Sequence, residues 1–184
     1  MTPEQINEYA KNIFAQNVQR GWWDDMDRCV FQTLQLVNTE IAEATEGDRK
    51  DLMDDHLPHR KMAEVELADT VIRLLDLAGR YEWVYRKHPP TFAMHEIATA
   101  KNTAARHLWL TASVCTLAVR LCAPDEYFTV DDNAYFSHTI TAALQIAEIE
   151  GYDLIGAIDE KLEYNKARAD HDRKNRAQAG GKKY

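Results

Sequence analysis

The sequence has no apolar run near the roughly 18–20 residues that a membrane-spanning helix needs. Its opening, MTPEQINEYAKN, has no apolar stretch of the signal-peptide kind. A cytoplasmic protein without membrane contacts is therefore expected. Turn formers are scarce as well, with only 7 Gly and 5 Pro in 184 residues, which argues against a many-stranded sheet. Cysteine is sparse and odd in number. Cys29, Cys115 and Cys122 each fall in an apolar helical stretch and read as buried reduced thiols, not as disulfide partners or metal ligands. Net positive charge is also missing: 22 Lys and Arg against 30 Asp and Glu leave −8. That balance excludes non-specific binding to nucleic acid or anionic membrane. An acidic chain that handles phosphate needs a metal ion or a local cationic cluster.

What the chain does carry is helical periodicity. An all-α fold is expected, with helices over about 3–20, 25–46, 61–87, 91–122, 131–150 and 153–177. In the second of these, Val30, Leu34, Val37, Ile41 and Ala44 recur at helical spacing. Gly47 marks its expected end, and His88-Pro89-Pro90 that of the third. Asp153 is the expected cap of the sixth. The segment 48–59 reads as a loop and 179–184 as a mobile tail.

The third helix holds an unusual pattern. At about 100° per residue, Glu66, Asp69, Arg73 and Asp76 fall in one narrow sector. Val65, Ala68, Ile72 and Leu75 flank that sector on one side and Leu67, Val71, Leu74 and Ala78 on the other. A solvated face would be broad and mixed in charge. Acids confined between apolar flanks lose hydration and repel one another unless a cation compensates them. Glu40 and Glu43 form a similar pair on the second helix, one turn after Leu36, and Glu46 continues the line by three residues. Two such pairs on two core helices suit magnesium, which takes carboxylate oxygen plus water and leaves positions for phosphate. Manganese substitutes readily in such a set. The plainer reading makes these acids the outer faces of amphipathic helices.

Glu40-x-x-Glu43 and Glu66-x-x-Asp69, with 22 residues between Glu43 and Glu66, resemble the core motifs of the MazG-like all-α nucleotide pyrophosphohydrolases. The surrounding text, Asn38 to Glu46 and Glu64 to Arg73, is similar too. So are Lys161-x-x-Tyr164-Asn165-x-x-Arg168, the Gly21-Trp22-Trp23 break and the Gly-Gly-Lys-Lys-Tyr end. The resemblance implies a single domain with a core over 12–80 and 150–178, and added helices over about 81–131 that depart from the compact pattern. It further implies a helical bundle completed by association, as a homodimer or homotetramer. The implied activity is hydrolysis of a (deoxy)nucleoside triphosphate to monophosphate and pyrophosphate. Glu40, Glu43, Glu66 and Asp69 become the implied magnesium ligands; Lys161, Asn165 and Arg168 become the implied phosphate contacts.

The residues alone support part of this. Lys161, Tyr164, Asn165 and Arg168 share one helix face, offering an ammonium, an amide and a guanidinium to a polyphosphate, although a solvated basic helix end has the same composition. Glu43 is the first candidate for general base and Glu46 the second. Asn17 and Trp22 are candidates for base or sugar contacts, with Tyr164 beside them, whereas Trp23 reads as packing. His56 and His59 have His-x-x-His spacing near Asp54 and Asp55, but a proline-bearing loop is a poor frame for zinc; His59 or Arg60 near phosphate is the better expectation. His171-Asp172 is an isolated pair lacking the further ligands an HD-type hydrolase needs. A di-iron bundle wants Glu-x-x-His, which neither motif provides. The remaining competitor is a non-catalytic helical interaction or regulatory protein.

Overall fold

A computed structural model describes residues 1–123, 127 and 130–168. Among them are seven helices: α1 (Pro3–Gln19), α2 (Val30–Lys50), α3 (Met62–Tyr81), α4 (Phe92–Thr99), α5 (Thr103–Cys122), α6 (Asp132–Glu150) and α7 (Leu154–Ala167). The described residues contain no strand, only an isolated bridge between Met53 and Lys61. The fold is all-α, and no described helix is long and apolar enough to cross a membrane.

Local chemistry accounts for most boundaries. Thr2 caps α1 reciprocally with Gln5, and Pro3 occupies the first helical turn, where its missing N–H costs nothing. Asp131 and Asp153 cap α6 and α7 through their carboxylates, and Gly151 ends α6 at φ 72°. Three expected boundaries are corrected. α2 starts at Val30, not near 25, and runs through Gly47 to Lys50. α3 stops at Tyr81, before the prolines, because Glu82 turns left-handed at φ 57°. The expected fourth helix is two: Ala100 is extended, and Asn102 starts α5 by accepting from the Ala105 N–H at 2.9 Å. The expected extension of α7 to 177, the tail 179–184 and the His171-Asp172 pair lie outside the described residues.

α3 is the central element, packed by α1, α2, α6 and α7. Its Val65, Leu67, Ala68, Val71, Leu74, Leu75, Leu77 and Ala78 are all buried. The α5–α6 pair lies against α2 and α3. Two glycines set the closest approaches. A Cβ on Gly47 would meet Met62 Cβ at 2.8 Å, and one on Gly79 would meet Phe14 Cβ at 2.3 Å. These contacts draw α2 and α1 tightly onto α3, the helix that carries the acidic seam.

Between α3 and α4 the chain crosses the molecule as an extended strap. Its backbone groups pair with side chains: Asn7 brackets Tyr85, donating to its C=O at 3.2 Å and accepting from its N–H at 2.8 Å. Asn133 and Ser137 of α6 accept from the Val84 and Arg86 N–H groups. The cysteines are corrected outright. Cys29, Cys115 and Cys122 are all exposed, and Cys29 precedes α2 instead of lying within it.

Candidate metal and phosphate site

The α2–α3 contact brings three of the expected acids together. Glu40, Glu43 and Glu66 each offer a carboxylate oxygen within 4.8 Å of the other two. Glu40 and Glu66 are buried, while Glu43 stands at the exposed edge. Burial raises Glu66 well above the usual carboxylate range, helped by the charge of Asp69 and a hydrogen bond shared with Glu40. Desolvation and neighbouring Glu40 also raise Glu43. Three converging oxygens that resist sharing negative charge form a donor set suited to a hard divalent cation.

The fourth expected ligand, Asp69, borders this triad but engages Lys161, whose Nζ lies 2.8 Å from its Oδ2. Burial raises Asp69 even so. Lys161 is only 3% exposed. Burial would lower its pKa, yet Asp69 and Glu66 hold it above the ordinary value. The expected phosphate contact is thus turned toward the acids. Arg73 plays a matching part on the other side, placing Nε 2.6 Å and Nη2 2.5 Å from Glu40 Oε1. Glu46 is not brought into the cluster. It pairs with Arg49 at 2.6 Å and with Lys50, and those partners lower its pKa.

Beside the acids is a cavity of about 250 Å³ between α1, α2, α3 and the end of α7. Asp69 and Arg73 belong to both its wall and the acidic cluster. Asn17, Trp22, Asn165 and Arg168 line it, so four expected ligand contacts from distant parts of the chain meet in one place. Tyr164 is not among the lining residues; its ring lies 4.8 Å from that of His56, with the Arg168 guanidinium 5.8 Å over it. Asp76 lies in the wall, where burial pushes its pKa up to about 6 against hydrogen bonds from Trp23 and Asn17. The buried Trp23 donates its indole N–H to Asp76 at 3.0 Å and so serves as packing and support.

Four polar residues that the sequence pattern did not single out also line the wall: Gln16, Arg20, Arg28 and Thr33. Gln16 and Arg20 had a signal, since they stand one and two turns from the buried Ile13 on the inward side of α1. Arg28 lies in the irregular segment before α2, where periodicity has no hold. Gln16 Oε1, Arg28 Nε, Thr33 Oγ1 and Asn165 Oδ1 are buried and have no hydrogen-bond partner among the described residues. Each such group costs roughly 1–3 kcal/mol unless something satisfies it. All four border one cavity, where water or a polar ligand could satisfy them.

The loop before α3 supports this site from behind. Arg60 reaches Glu64 and Glu160 at 2.8 Å and Asp153 at 3.1 Å, tying α7 to the start of α3. His59 joins Glu160 at 2.7 Å, while His56 stacks on Tyr164. The two histidines and Arg60 therefore hold α7, and the histidines do not converge as a metal pair. Comparison with family models, curated proteins and solved structures finds no match for the chain.

Proposed function

We propose that the protein hydrolyses a (deoxy)nucleoside triphosphate to the monophosphate and pyrophosphate with the help of Mg²⁺. The observation that carries this reading is the junction of the Glu40–Glu43–Glu66 triad with a cavity walled by Arg20, Arg28, Arg73 and Arg168. An acidic chain that gathers four guanidinium groups beside a carboxylate cluster offers separate places for a cation and for phosphate oxygens. The resemblance of the two Glu-x-x-acid motifs to MazG-like pyrophosphohydrolases points the same way.

Glu40, Glu43 and Glu66 would hold the cation, with Asp69 able to join when Lys161 turns to phosphate. When bound, Mg²⁺ supplies Lewis-acid polarisation of phosphate oxygens and neutralises charge on the leaving pyrophosphate. Arg168 and Asn165 grip the polyphosphate, and Trp22 and Asn17 face the nucleoside. Glu43 is the exposed member of the triad, which places it to meet a water as general base. It accepts the proton of a water whose oxygen bonds to the α-phosphorus as the bond from that phosphorus to the bridging oxygen breaks. A homodimer or homotetramer is the expected assembly, and the cytoplasm the expected compartment.

The direct test incubates the protein with a panel of nucleoside triphosphates and Mg²⁺ and measures pyrophosphate against orthophosphate. Pyrophosphate and monophosphate in equal amounts are expected from at least one nucleotide. No release from any nucleotide would end the enzyme reading, and orthophosphate alone would exclude cleavage at the α-phosphorus.

A further inference from the structure

The part of the cavity around Asp76 differs from the part beside the acidic triad. Asp69 borders the triad, and Asp76 lies two turns further along α3, on the same face and about 10 Å away along the axis. That span matches the reach from the α-phosphorus of a nucleotide to the Watson–Crick edge of its base. Asp76 is only 8% exposed, an unusual place for a carboxylate outside the acidic cluster. The Trp23 indole N–H, at 3.0 Å, and the Asn17 side chain occupy two of its roughly four lone-pair sites and fix its orientation. Two acceptor sites remain. Arg28 is near enough for its charge to act on Asp76, and its buried Nε has no acceptor among the described residues. Buried Gln16 Oε1 likewise has no donor among them. Leu36, Ile72 and the Trp22 ring supply wall for the faces of a planar ring.

We infer, on the nucleotide reading proposed above, that this part of the cavity is a guanine subsite in which Asp76 accepts from N1–H and the 2-amino group while Arg28 donates to O6. A carboxylate wants adjacent donors and a guanidinium wants an acceptor. Guanine alone among the common bases presents two donors followed by a carbonyl along one edge. Adenine pairs its amine with a bare ring nitrogen. Cytosine sets two acceptors beside one amine, and uracil or thymine flanks a single N–H with two carbonyls. Each of these would press a lone pair against the Asp76 carboxylate in a buried wall, where an unmatched polar group is costly. Gln16 Oε1 offers a further acceptor for the second hydrogen of the guanine amine. The charges of Asp76 and Arg28 offset one another, so the subsite selects a neutral base by its pattern of donors and acceptors.

Calorimetric titration of the full chain with nucleoside 5′-monophosphates in the presence of Mg²⁺ reads the base without requiring catalysis. The guanine form is expected to bind at least about tenfold more tightly than the hypoxanthine form, which lacks only the 2-amino group. It should exceed the adenine, cytosine and uracil forms by at least as much. This comparison needs no substitution. Asp76→Asn replaces one acceptor by a donor and should invert the order of guanine and xanthine, whose 2-oxo group accepts where guanine donates. Equal binding of all bases, a preference for another base, no binding of any, or an intact guanine preference in a folded Asp76→Asn would each overturn the subsite. The enzyme reading fails separately. Guanine-selective binding with no triphosphate hydrolysed would support the subsite and end the hydrolase reading. Hydrolysis of every triphosphate at similar kcat/KM would overturn the subsite and keep the hydrolase.

Discussion

The spacing of α2 and α3 can be perturbed at one atom. Gly47→Ala adds a Cβ that would lie 2.8 Å from Met62 Cβ and 2.9 Å from the Ala63 backbone nitrogen. Neither atom can swing away, so the helices must part by several tenths of an ångström. Intrinsic helix propensity favours alanine by about 1 kcal/mol, while overpacking costs about 1–3 kcal/mol. The overpacking term wins, with a net loss of about 1 kcal/mol and a fall in Tm of roughly 2–4 °C. The larger consequence is functional. Gly47 follows Glu43 by one turn, and Met62 precedes Glu66 by one turn, so parting the helices there widens the triad directly. Isothermal titration with Mn²⁺, together with thermal unfolding with and without Mg²⁺, measures both effects. The expected outcome is a metal affinity about tenfold weaker in a protein that still folds. A variant that melts higher than wild type and binds metal as tightly would refute the reasoning.

Other expected outcomes follow from single contacts. Lys161→Met leaves Asp69 without its ammonium partner and should lower stability by about 3 kcal/mol at neutral pH, measured by urea unfolding. Asn165→Ala removes a buried oxygen that has no partner among the described residues. Stability should therefore stay within about 0.5 kcal/mol, while KM for the triphosphate rises about tenfold, the equivalent of one hydrogen bond. Asp76 has its pKa raised from 3.8 to about 6 in the folded protein, so the folded state binds this proton more tightly than the unfolded chain. Its stabilising contribution is complete below the lower value and is lost as pH rises through the upper one. The stability of wild type relative to Asp76→Asn should then fall by roughly 2 kcal/mol between about pH 4 and pH 7; parallel pH profiles would show that the group is not so perturbed.

The sequence made the central helix legible because α3 is apolar on nearly its whole circumference, and its few acids stand out against that background. The caps at Asp131, Asp153 and Gly151 were equally plain, since local side-chain chemistry fixes them. The strap after α3 was not. Residues 82–87 carry helix-compatible side chains, and what holds them extended is Asn7, Asn133 and Ser137, distant in sequence. Cys115 and Cys122 misled for a related reason: α5 is apolar on both sides, and only the packing decides which side is covered.

Within the site, the cluster was legible and its edges were not. Three-residue steps lag the helix by about 60° each, so Glu46 stands roughly 120° from Glu40 and reaches Arg49 and Lys50 instead. Spacing put Lys161 on the face of Asn165 and Arg168, but the pull of Asp69 turns its ammonium inward. Arg28 joins the cavity through the bend at 20–29, whose path no periodicity encodes, whereas Thr33 lies on the buried stripe of α2.

Metal binding by the triad underlies the whole functional reading, and calorimetric titration of the metal-free protein with Mn²⁺ or Mg²⁺ tests it most directly. One saturable binding event is expected in wild type, lost in Glu66→Gln while the far-ultraviolet circular dichroism stays the same. Absence of binding in wild type, or undiminished binding in Glu66→Gln, would contradict the account.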